Sequence, residues 1–481
     1  MELKREEIMK LPQGEAIDLL LGVIGELMAV VAAQGAKIAE LEARVNQNSQ
    51  NSSKPPSGDI YKRAKSARGT SGKGAGGQEG HEGHGHKIMQ EPDEIKKHMA
   101  TGCEGCERYG ACIEEARAGE TRYEIEIEVK PKVTAHRAMG VICPKTGGEK
   151  IGEFPPEIKG TIQYGLNIET LAVTLNTMGM VSIKRTHEIL KNVFGVPIST
   201  GTISTMVERC AEAVREPVEA IKEALREEEV VHYDETGTRV EERNHWAHVA
   251  STAQLTYISV EEKRGQVGME SSGVLPNYNG VGIHDCWEPY FKYDEMEHGL
   301  CGAHLLRELT AVTENTGQEW AQKLSDLLLD MKKVKEDLIS QGNEQAPEYV
   351  WERYELAYDE IVNEALAANP LPEKDPGKRG RAKRGKVRAL VDRLANRKFN
   401  WLLFFIDFIV PFTNNQAESD IRVFKVKQKV SGCFRSKSGA DNFAAILSFI
   451  STARKNGFSA FSAIKDAFLG SPFSLSHTST E

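Results

Sequence analysis

The stretch of sequence that decides the fold is Val230-Val-His-Tyr-Asp234, a short apolar run that ends on an acid. Apolar runs of this length, bounded by polar or turn-forming residues, predict buried β-strands. Three further runs of the same kind follow along the chain, and one of them also ends on an aspartate: residues 246–249, residues 255–260 and Val281–Asp285. The sequence therefore predicts a sheet built mainly from these four strands.

Helical patterns precede this sheet. Ile183–Phe194 and the residues from Thr202 onward predict two helices joined by a Gly/Pro turn, with Ser199 or Thr200 as the cap of the second. The arrangement is helix-turn-helix-like, so this region is a candidate for reading a DNA groove. Two helices and a turn also occur in helical domains that bind no DNA.

Helical patterns also follow the sheet. Periodicity typical of helices runs from Gly302 to about Asn369, and an apolar element at residues 401–410 is stopped by Pro411. A mixed sheet interrupted by a helical insertion is the expected result.

Two acids end predicted strands. Asp234 and Asp285 should project into the crevice at the edge of the sheet rather than into the core. Carboxylates that converge there are costly without a cation, which predicts a divalent metal. The third oxygen ligand expected is Glu418, on a helix that Asn414 or Asn415 caps. The alternative is that aspartates at strand ends simply form turns.

The net charge of −9 conceals a strong segregation of charge. Lys374–Lys398 holds eleven Lys and Arg against two Asp, and Arg422–Lys437 adds six basic residues and no acid, so the rest of the chain carries −24 (−9 − 9 − 6). Such basic segments are typical of surfaces that bind phosphate, although a basic run is also often merely solvated. The expected DNA contacts are Lys378, Arg379, Arg381, Lys383, Arg384, Lys386, Arg388, Arg422, Lys425 and Lys427.

Composition excludes several classes of protein. With 481 residues, 40% of them hydrophobic and 27% charged, the chain is neither wholly disordered nor collagen-like. The longest apolar candidate, Leu19 to Ala33, is interrupted by Glu26, so we expect no membrane span and no membrane partner. A cytoplasmic, nucleoid-associated protein is the expectation.

The N-terminal residues carry a heptad pattern. Ile and Val fill the a positions, and Leu fills the d positions except at one Gln, a combination that favours a parallel coiled-coil homodimer. An amphipathic helix packed on its own chain is the alternative. The seam consists of Ile17, Leu20, Ile24, Leu27, Val31, Gln34, Ile38, Leu41 and Val45.

Several motifs occur in series along the chain: Asn51-Ser-Ser-Lys-Pro-Pro56, Gly76-Gly-Gln-Glu-Gly-His81, Ile198-Ser-Thr-Gly-Thr-Ile203, Tyr233-Asp-Glu-Thr-Gly237, His284-Asp-Cys286, Cys301-Gly-Ala-His304-Leu-Leu-Arg307, Arg381-Ala-Lys-Arg-Gly385 and Asn414-Asn-Gln-Ala-Glu418-Ser-Asp-Ile-Arg422. In this order they closely resemble the DDE transposases of the insertion sequence 66 family, and the resemblance extends nearly from end to end.

The resemblance implies a fold and an activity. The expected fold is an RNase-H-like α/β catalytic core with a helical insertion, in which Asp234, Asp285 and Glu418 match the acidic triad of the family. The implied activity is binding of the terminal inverted repeats and Mg²⁺- or Mn²⁺-dependent cleavage and transfer of DNA strands, with other proteins of the element as further partners. The Cys-x-x-His element of the family matches Cys301 and His304, whose role the resemblance leaves open.

Four cysteines form a candidate zinc site. They are Cys103, Cys106, Cys112 and Cys143. The family pattern resembles two Cys-x-x-Cys pairs, a spacing that suits tetrahedral Zn²⁺. Here the second pair has only Cys143, so Cys112 or His136 would supply the missing ligand.

The predicted protein is thus multidomain α+β. Two other functions stay open: a non-catalytic DNA-binding or regulatory protein of a mobile element, and an RNase-H-type nuclease. The expected parts are a coiled-coil helix (1–46), a flexible basic linker (47–100), a zinc-binding-like module (101–150), a helical, helix-turn-helix-like domain (151–228), the first part of the core (229–300), a helical insertion with the basic run (301–398), the second part of the core (399–470) and a disordered tail (471–481).

Overall fold

The structure is a computed structural model and describes residues 12–48, 51–52, 91–98, 102, 105–115, 117, 120–127, 129–371 and 384–475. Its contacts divide the chain into two units, residues 65–132 and the remainder. Within the smaller unit, the described residues include one short helix, Tyr109–Glu114.

The elements alternate between helices and strands in a mixed α+β order. The helices are α1 (Gln13–Val45), α2 (Tyr109–Glu114), α3 (Leu166–Asn176), α4 (Ile183–Asn192), α5 (Thr200–Ala213), α6 (Arg215–Arg226), α7 (Gln266–Ser272), α8 (Gly302–Thr316), α9 (Glu319–Ser340), α10 (Glu348–Ala368), α11 (Lys386–Asn396), α12 (Lys398–Ile406), α13 (Asn415–Ser431), α14 (Lys437–Lys455) and α15 (Ala460–Phe468). The strands are β1 (Gly140–Ile142), β2 (Glu149–Ile151), β3 (Val230–Val240), β4 (Arg243–Ser251), β5 (Thr256–Glu261), β6 (Val281–His284) and β7 (Glu297–Leu300).

The larger sheet has the order β5-β4-β3-β6-β7. Strands β3, β4 and β5 pair antiparallel, whereas β6 pairs parallel to β3 and β7 parallel to β6. The four predicted strands are therefore confirmed. Two details differ from the sequence prediction: β7 was not expected, and β3 continues past Asp234 to Val240 because it forms a long hairpin with β4.

The two faces of β3 are covered by different helices. Tyr233 and its partner Ala250 belong to a hydrophobic cluster that includes α6. Val249, the partner of Asp234, belongs to a cluster that includes α13. Because side chains alternate along a strand and paired residues share a face, Asp234 lies on the face covered by α13.

The helices before and after the sheet share cores with it. Helices α3 to α5 contribute to the same cluster as β4, β5, α13, α14 and α15. Helices α8 to α12 share a second cluster with β6 and β7. The apolar element at residues 401–410 is mostly the end of α12, and it is buried in that second cluster.

The helix-turn-helix-like segment forms as the sequence predicts. Ser199 is the N-cap of α5, and its hydroxyl accepts a hydrogen bond from the backbone N–H of Thr202 at 3.0 Å. The apolar side of α5, including Ile203 and Met206, is buried in the shared core. Packing in the core is therefore enough to explain the helical spacing of apolar residues in this segment, without a role in binding DNA.

Helix α1 spans 33 residues, and none of its described side chains is buried. By length and composition alone this helix is suited to crossing a membrane. A single helix of this kind is weak evidence for a membrane span, so the expectation that the protein has no membrane partner stays a prediction. Beyond α1, Asn51 is buried, and its side-chain amide donates a 2.6 Å hydrogen bond to Glu314 of α8.

We predict that the exposed seam of α1 mediates dimerisation. Deleting Met1–Asn46, or introducing Ile24→Glu together with Val31→Glu at two a positions, should give a species that sediments as roughly half the mass of the wild type, because charge at the seam opposes helix pairing. The matched control is Ala29→Glu with Ala33→Glu, which adds the same charge away from the seam. A seam variant with an unchanged oligomeric state would show that α1 does not mediate dimerisation.

Candidate active site

Asp234 lies within β3, and Asp285 directly follows the neighbouring strand β6. Val230, Val231 and His232 of β3 pair with residues 281–283 of β6. Continuing this parallel register brings Asp234 level with Asp285, one strand spacing away. Asp234 accepts a hydrogen bond from the backbone N–H of Glu235 at 2.9 Å, and Asp285 accepts one from the N–H of Trp287 at 3.0 Å.

Crowding of carboxylates is the main electrostatic feature of this place. Burial raises the pKa of Asp234 well above its usual range, and the negative charges of Glu235, Asp285 and Glu418 raise the pKa further. A backbone hydrogen bond opposes this shift only in part. A carboxyl group with a raised pKa beside three other acids is suited to receive a cation, which would favour its charged form.

Glu235 is less suited to bind a cation, because its carboxylate already has hydrogen-bond partners within the protein. Its carboxylate accepts hydrogen bonds from Arg264 at 2.7 and 2.9 Å and from the Tyr290 hydroxyl at 2.6 Å. Burial and then the Asp285 charge raise the pKa of Glu235, whereas these hydrogen bonds and the Arg264 charge lower it. The Arg264 guanidinium in turn stacks on Trp287, 4.0 Å from the ring centre. The sequence analysis did not predict the interactions of Glu235 with Arg264 and Tyr290. The one indication in the sequence was a second acid, Glu235, directly after Asp234.

Glu418 lies in the first turn of α13, as predicted. One of its oxygens, Oε1, is 3.5 Å from Nδ1 of His304, and the other is 3.9 Å from the Arg307 guanidinium. Within the described part of the chain, the one group of three His, Cys, Asp or Glu side chains whose ligand atoms all lie within 4.8 Å of one another is Cys301, His304 and Glu418. Glu418 thus forms a compact group with Cys301 and His304, whereas its ligand atoms and those of the two aspartates do not meet this distance limit.

Asn414 connects the elements that carry these residues. Its side-chain amide donates to the Tyr233 carbonyl at 2.7 Å, and its side-chain oxygen lies 2.9 Å from Nδ1 of His232. Its backbone N–H donates to the Cys301 sulfur at 3.2 Å. Asn414 is the N-cap residue of α13, but its side chain makes no capping hydrogen bond. The predicted cap position is therefore confirmed at Asn414, but its side-chain amide binds β3 instead of the first turn of α13.

Backbone strain occurs next to the second aspartate. Cys286 has φ of 65°, in the left-handed region that non-glycine residues seldom adopt. Such strain persists where the surroundings hold it, and it is common at functional sites. Here it turns the chain sharply after β6, directly behind Asp285.

The predicted DNA contacts separate into groups. Lys378, Arg379, Arg381 and Lys383 lie outside the described residues. Arg422 and Lys425 are exposed on α13, and Lys386 opens α11. Arg384 pairs with Asp392 at 2.7 Å.

Two of the predicted phosphate contacts, Lys427 and Arg388, bind carbonyl or carboxylate groups within the protein. Lys427 is buried, and its ammonium donates to the carbonyls of Asn176 and Val181 at 2.8 and 3.2 Å. Burial lowers the pKa of Lys427 to about 8. Arg388 binds Asp392 at 2.9 Å and the Asn369 carbonyl at 2.6 Å. Lys427 and Arg388 thus bind groups within the protein, and their assignment as phosphate contacts stays a prediction.

Basic residues missed by the sequence prediction line a cleft of about 540 Å³ beside residues 286–288. Arg393 pairs with Glu308, and Arg397 pairs with Glu288 at 2.9 Å. Arg397 also lies over the Phe291 ring. Both arginines belong to the basic segment Lys374–Lys398, and its high density of positive charge was the feature of the sequence that could have identified them.

The candidate zinc ligands belong to different units. Cys103 lies outside the described residues, Cys106 and Cys112 lie in the smaller unit, and Cys143 and His136 lie in the larger one. Cys143 precedes the turn of the β1–β2 hairpin, and its N–H donates to the Gly148 carbonyl at 2.9 Å. The zinc module stays a prediction.

Two family models match the chain. One, described as Transposase IS66 family, matches residues 162–442, which is more than half of the chain and includes Asp234, Asp285 and Glu418. The other, a family of unknown function (DUF6444), matches residues 6–87. No curated protein matches the chain significantly.

We predict that Asn414 is required to hold the candidate site together. Asn414→Ala leaves the Tyr233 carbonyl and a His232 nitrogen without their partner, so it should reduce the free energy of unfolding by about 2–4 kcal/mol. Asn415→Ala, at the exposed neighbouring position, should change it by less than about 0.5 kcal/mol. Urea unfolding of both variants measures the difference, and equal stabilities would contradict the bridging role.

Proposed function

The chain belongs to the IS66 family of transposases, and from this premise we propose that it binds the terminal inverted repeats of its own insertion sequence and catalyses metal-dependent DNA strand cleavage and transfer. The observation that carries the proposal is that Asp234 of β3 lies level with Asp285, which directly follows the neighbouring parallel strand β6, with α13 and Glu418 on the same face of the sheet. Carboxylates in such a place are the ligands that hard divalent cations require.

The sheet supports an RNase-H-like catalytic core. The sheet has three antiparallel strands followed by two parallel ones, in the order β5-β4-β3-β6-β7. Its first and fourth strands along the chain, β3 and β6, therefore lie side by side in the middle. The first of these carries Asp234, and the second leads directly into Asp285. The long chain between Leu300 and Asn414 supplies the helical insertion before the third acid.

The residues fit Mg²⁺ or Mn²⁺. Burial and neighbouring carboxylates raise the pKa of Asp234, and a divalent cation would offset the repulsion among these carboxylates. Bound there, the metal would activate a water molecule or a DNA 3′-hydroxyl and stabilise the leaving oxygen. Asp234, Asp285 and Glu418 would hold it, while the hydrogen bonds from Glu235 and Trp287 orient the two aspartates.

Arg307 and the exposed basic residues of α13 suit a polyanionic substrate. The Arg307 guanidinium is 3.9 Å from Glu418, so a DNA phosphate that approaches this acid meets a positive charge beside it. Arg422 and Lys425 extend the positive surface along α13. Arg384, Arg393 and Arg397 line the cleft beside residues 286–288, where phosphates would compete with their present carboxylate partners.

Pairing of two copies through α1 would bring two DNA ends together, which strand transfer between ends requires. Other proteins encoded by the element are further proposed partners, and the nucleoid in the cytoplasm is the proposed place of action.

The catalytic assignment predicts loss of chemistry without loss of binding. Asp234→Asn, Asp285→Asn and Glu418→Gln should each reduce Mg²⁺-dependent cleavage of a duplex that carries the inverted repeats flanking the gene by at least about 1,000-fold, equivalent to about 4 kcal/mol in the barrier. DNA affinity should change little, because these acids do not bind phosphate directly. Glu295→Gln, which changes an exposed acid outside the proposed triad, is the control.

The same assay separates the other functions. Wild-type protein that binds the repeats but never cuts them would support a regulatory protein, and cleavage confined to RNA–DNA hybrids would support a nuclease. Full activity in any of the three acid variants would remove that acid from the proposed site.

The basic run predicts salt-dependent DNA binding. Replacing Lys378, Arg379, Arg381 and Lys383 with Gln should weaken binding similarly for all DNA sequences and reduce the slope of log affinity against log salt by roughly 0.9 for each phosphate that is no longer neutralised. The control replaces Lys323, Lys332, Lys333 and Arg353 of α9 and α10, which removes the same charge elsewhere. Equal slopes for the two quadruple variants would show that the run does not bind DNA.

A further inference from the structure

Cys301 and His304 converge because of their positions in α8. Cys301 is the N-cap residue of this helix, and His304 is its third residue. This spacing is the one at which the cap and the third helical side chain approach each other, as in a capping box. The Cys301 sulfur is fully buried, and the N–H of Asn414 donates to it from the start of α13.

The third member of the group comes from α13. Glu418 Oε1 lies 3.5 Å from His304 Nδ1, and the ligand atoms of Cys301, His304 and Glu418 all lie within 4.8 Å of one another. Both His304 Nδ1 and Glu418 Oε1 are buried, and neither has a hydrogen-bond partner among the residues that the structure describes. Buried polar atoms without partners are rare and costly, so these two indicate that something else binds between them.

The separations fit a small cation. Ligands at about 2.1 Å from a tetrahedral centre stand roughly 3.4 Å apart, close to the distance between the His304 and Glu418 atoms. The other separations, up to 4.8 Å, need an adjustment of about 1 Å in the side chains to reach a sulfur ligand distance of about 2.3 Å.

The donor chemistry selects the kind of cation. Thiolate and imidazole ligands favour zinc and similar transition metals, whereas Mg²⁺ prefers oxygen ligands alone. We propose that Cys301, His304 and Glu418 form a binding site for a thiophilic divalent cation of the zinc class, with a fourth position left for water or a phosphate oxygen. On binding, the thiol releases its proton to solvent and the sulfur coordinates the cation as thiolate.

The proposed site is distinct in its ligands from the cysteine cluster nearer the N-terminus. It shares only Glu418 with the proposed catalytic acids, and it does not depend on any DNA reaction.

The test is zinc binding by the full-length protein without DNA. Cys301→Ser and His304→Ala should each lower the zinc content by one ion per chain and weaken zinc binding at this site by more than about 100-fold, since one of three protein ligands is lost. In protein loaded with Co²⁺, both variants should lose thiolate-to-cobalt absorption equivalent to one cysteine. Cys433→Ser, a free cysteine outside the group, should leave both measurements unchanged.

A second variant protects the test against misfolding. Cys301 is fully buried, whereas His304 is partly exposed, so circular dichroism of His304→Ala should match the wild type. His304→Asp retains a donor atom and should keep the ion with reduced affinity. A folded His304→Ala protein with the zinc content and cobalt spectrum of the wild type would overturn the proposal, and the cleavage assay with the acid variants would be unaffected by that result.

Discussion

The interactions of one buried amide organise the whole candidate site. Asn414 binds the backbone of β3 next to Asp234, the His232 ring, and the sulfur at the start of α8. The Asn414 carbonyl also accepts the N–H of Glu418, so the same residue begins the helix that carries the third acid. Three segments that are distant in sequence are thereby fixed to one another. Satisfied buried networks of this kind specify a single arrangement of a core, because any other arrangement leaves polar groups unpaired.

Around this junction the protein concentrates negative charge. Asp234, Glu235, Asp285 and Glu418 lie close enough for their charges to affect one another, and only Glu235 has a full set of partners among the described residues. Two ligand sets of different chemistry lie side by side here. The aspartates offer oxygen alone, whereas Cys301 and His304 offer sulfur and nitrogen beside Glu418. Because hard and soft cations prefer different ligands, the two proposed ligand sets would select different metals.

Some basic side chains of the protein bind groups in its interior and others are exposed, and the density of Lys and Arg along the sequence does not distinguish the two. Lys427, Lys335 and Lys455 bind backbone carbonyls within the fold, so these lysines stabilise loop and helix ends. Arg422, by contrast, is exposed on the helix that carries Glu418, and Lys425 is also exposed there although its ammonium donates to the Gly237 carbonyl. Burial decides between the roles, since an ammonium that already binds carbonyls in the core cannot also reach a phosphate at the surface.

The sequence by itself determined the elements. Alternation of apolar residues located four of the five strands of the main sheet, and a cap residue located the start of α5, because these signals are local. Sequence spacing also selected Asp234 and Asp285, whose convergence follows from parallel pairing. Only the tertiary structure decided which side chains meet across long separations: Glu418 with His304, Asn414 with Tyr233, and Lys427 with residues of α3 and the turn after it. Such contacts depend on how helices pack on the sheet, and no local pattern records the partner of a side chain that is so distant in sequence.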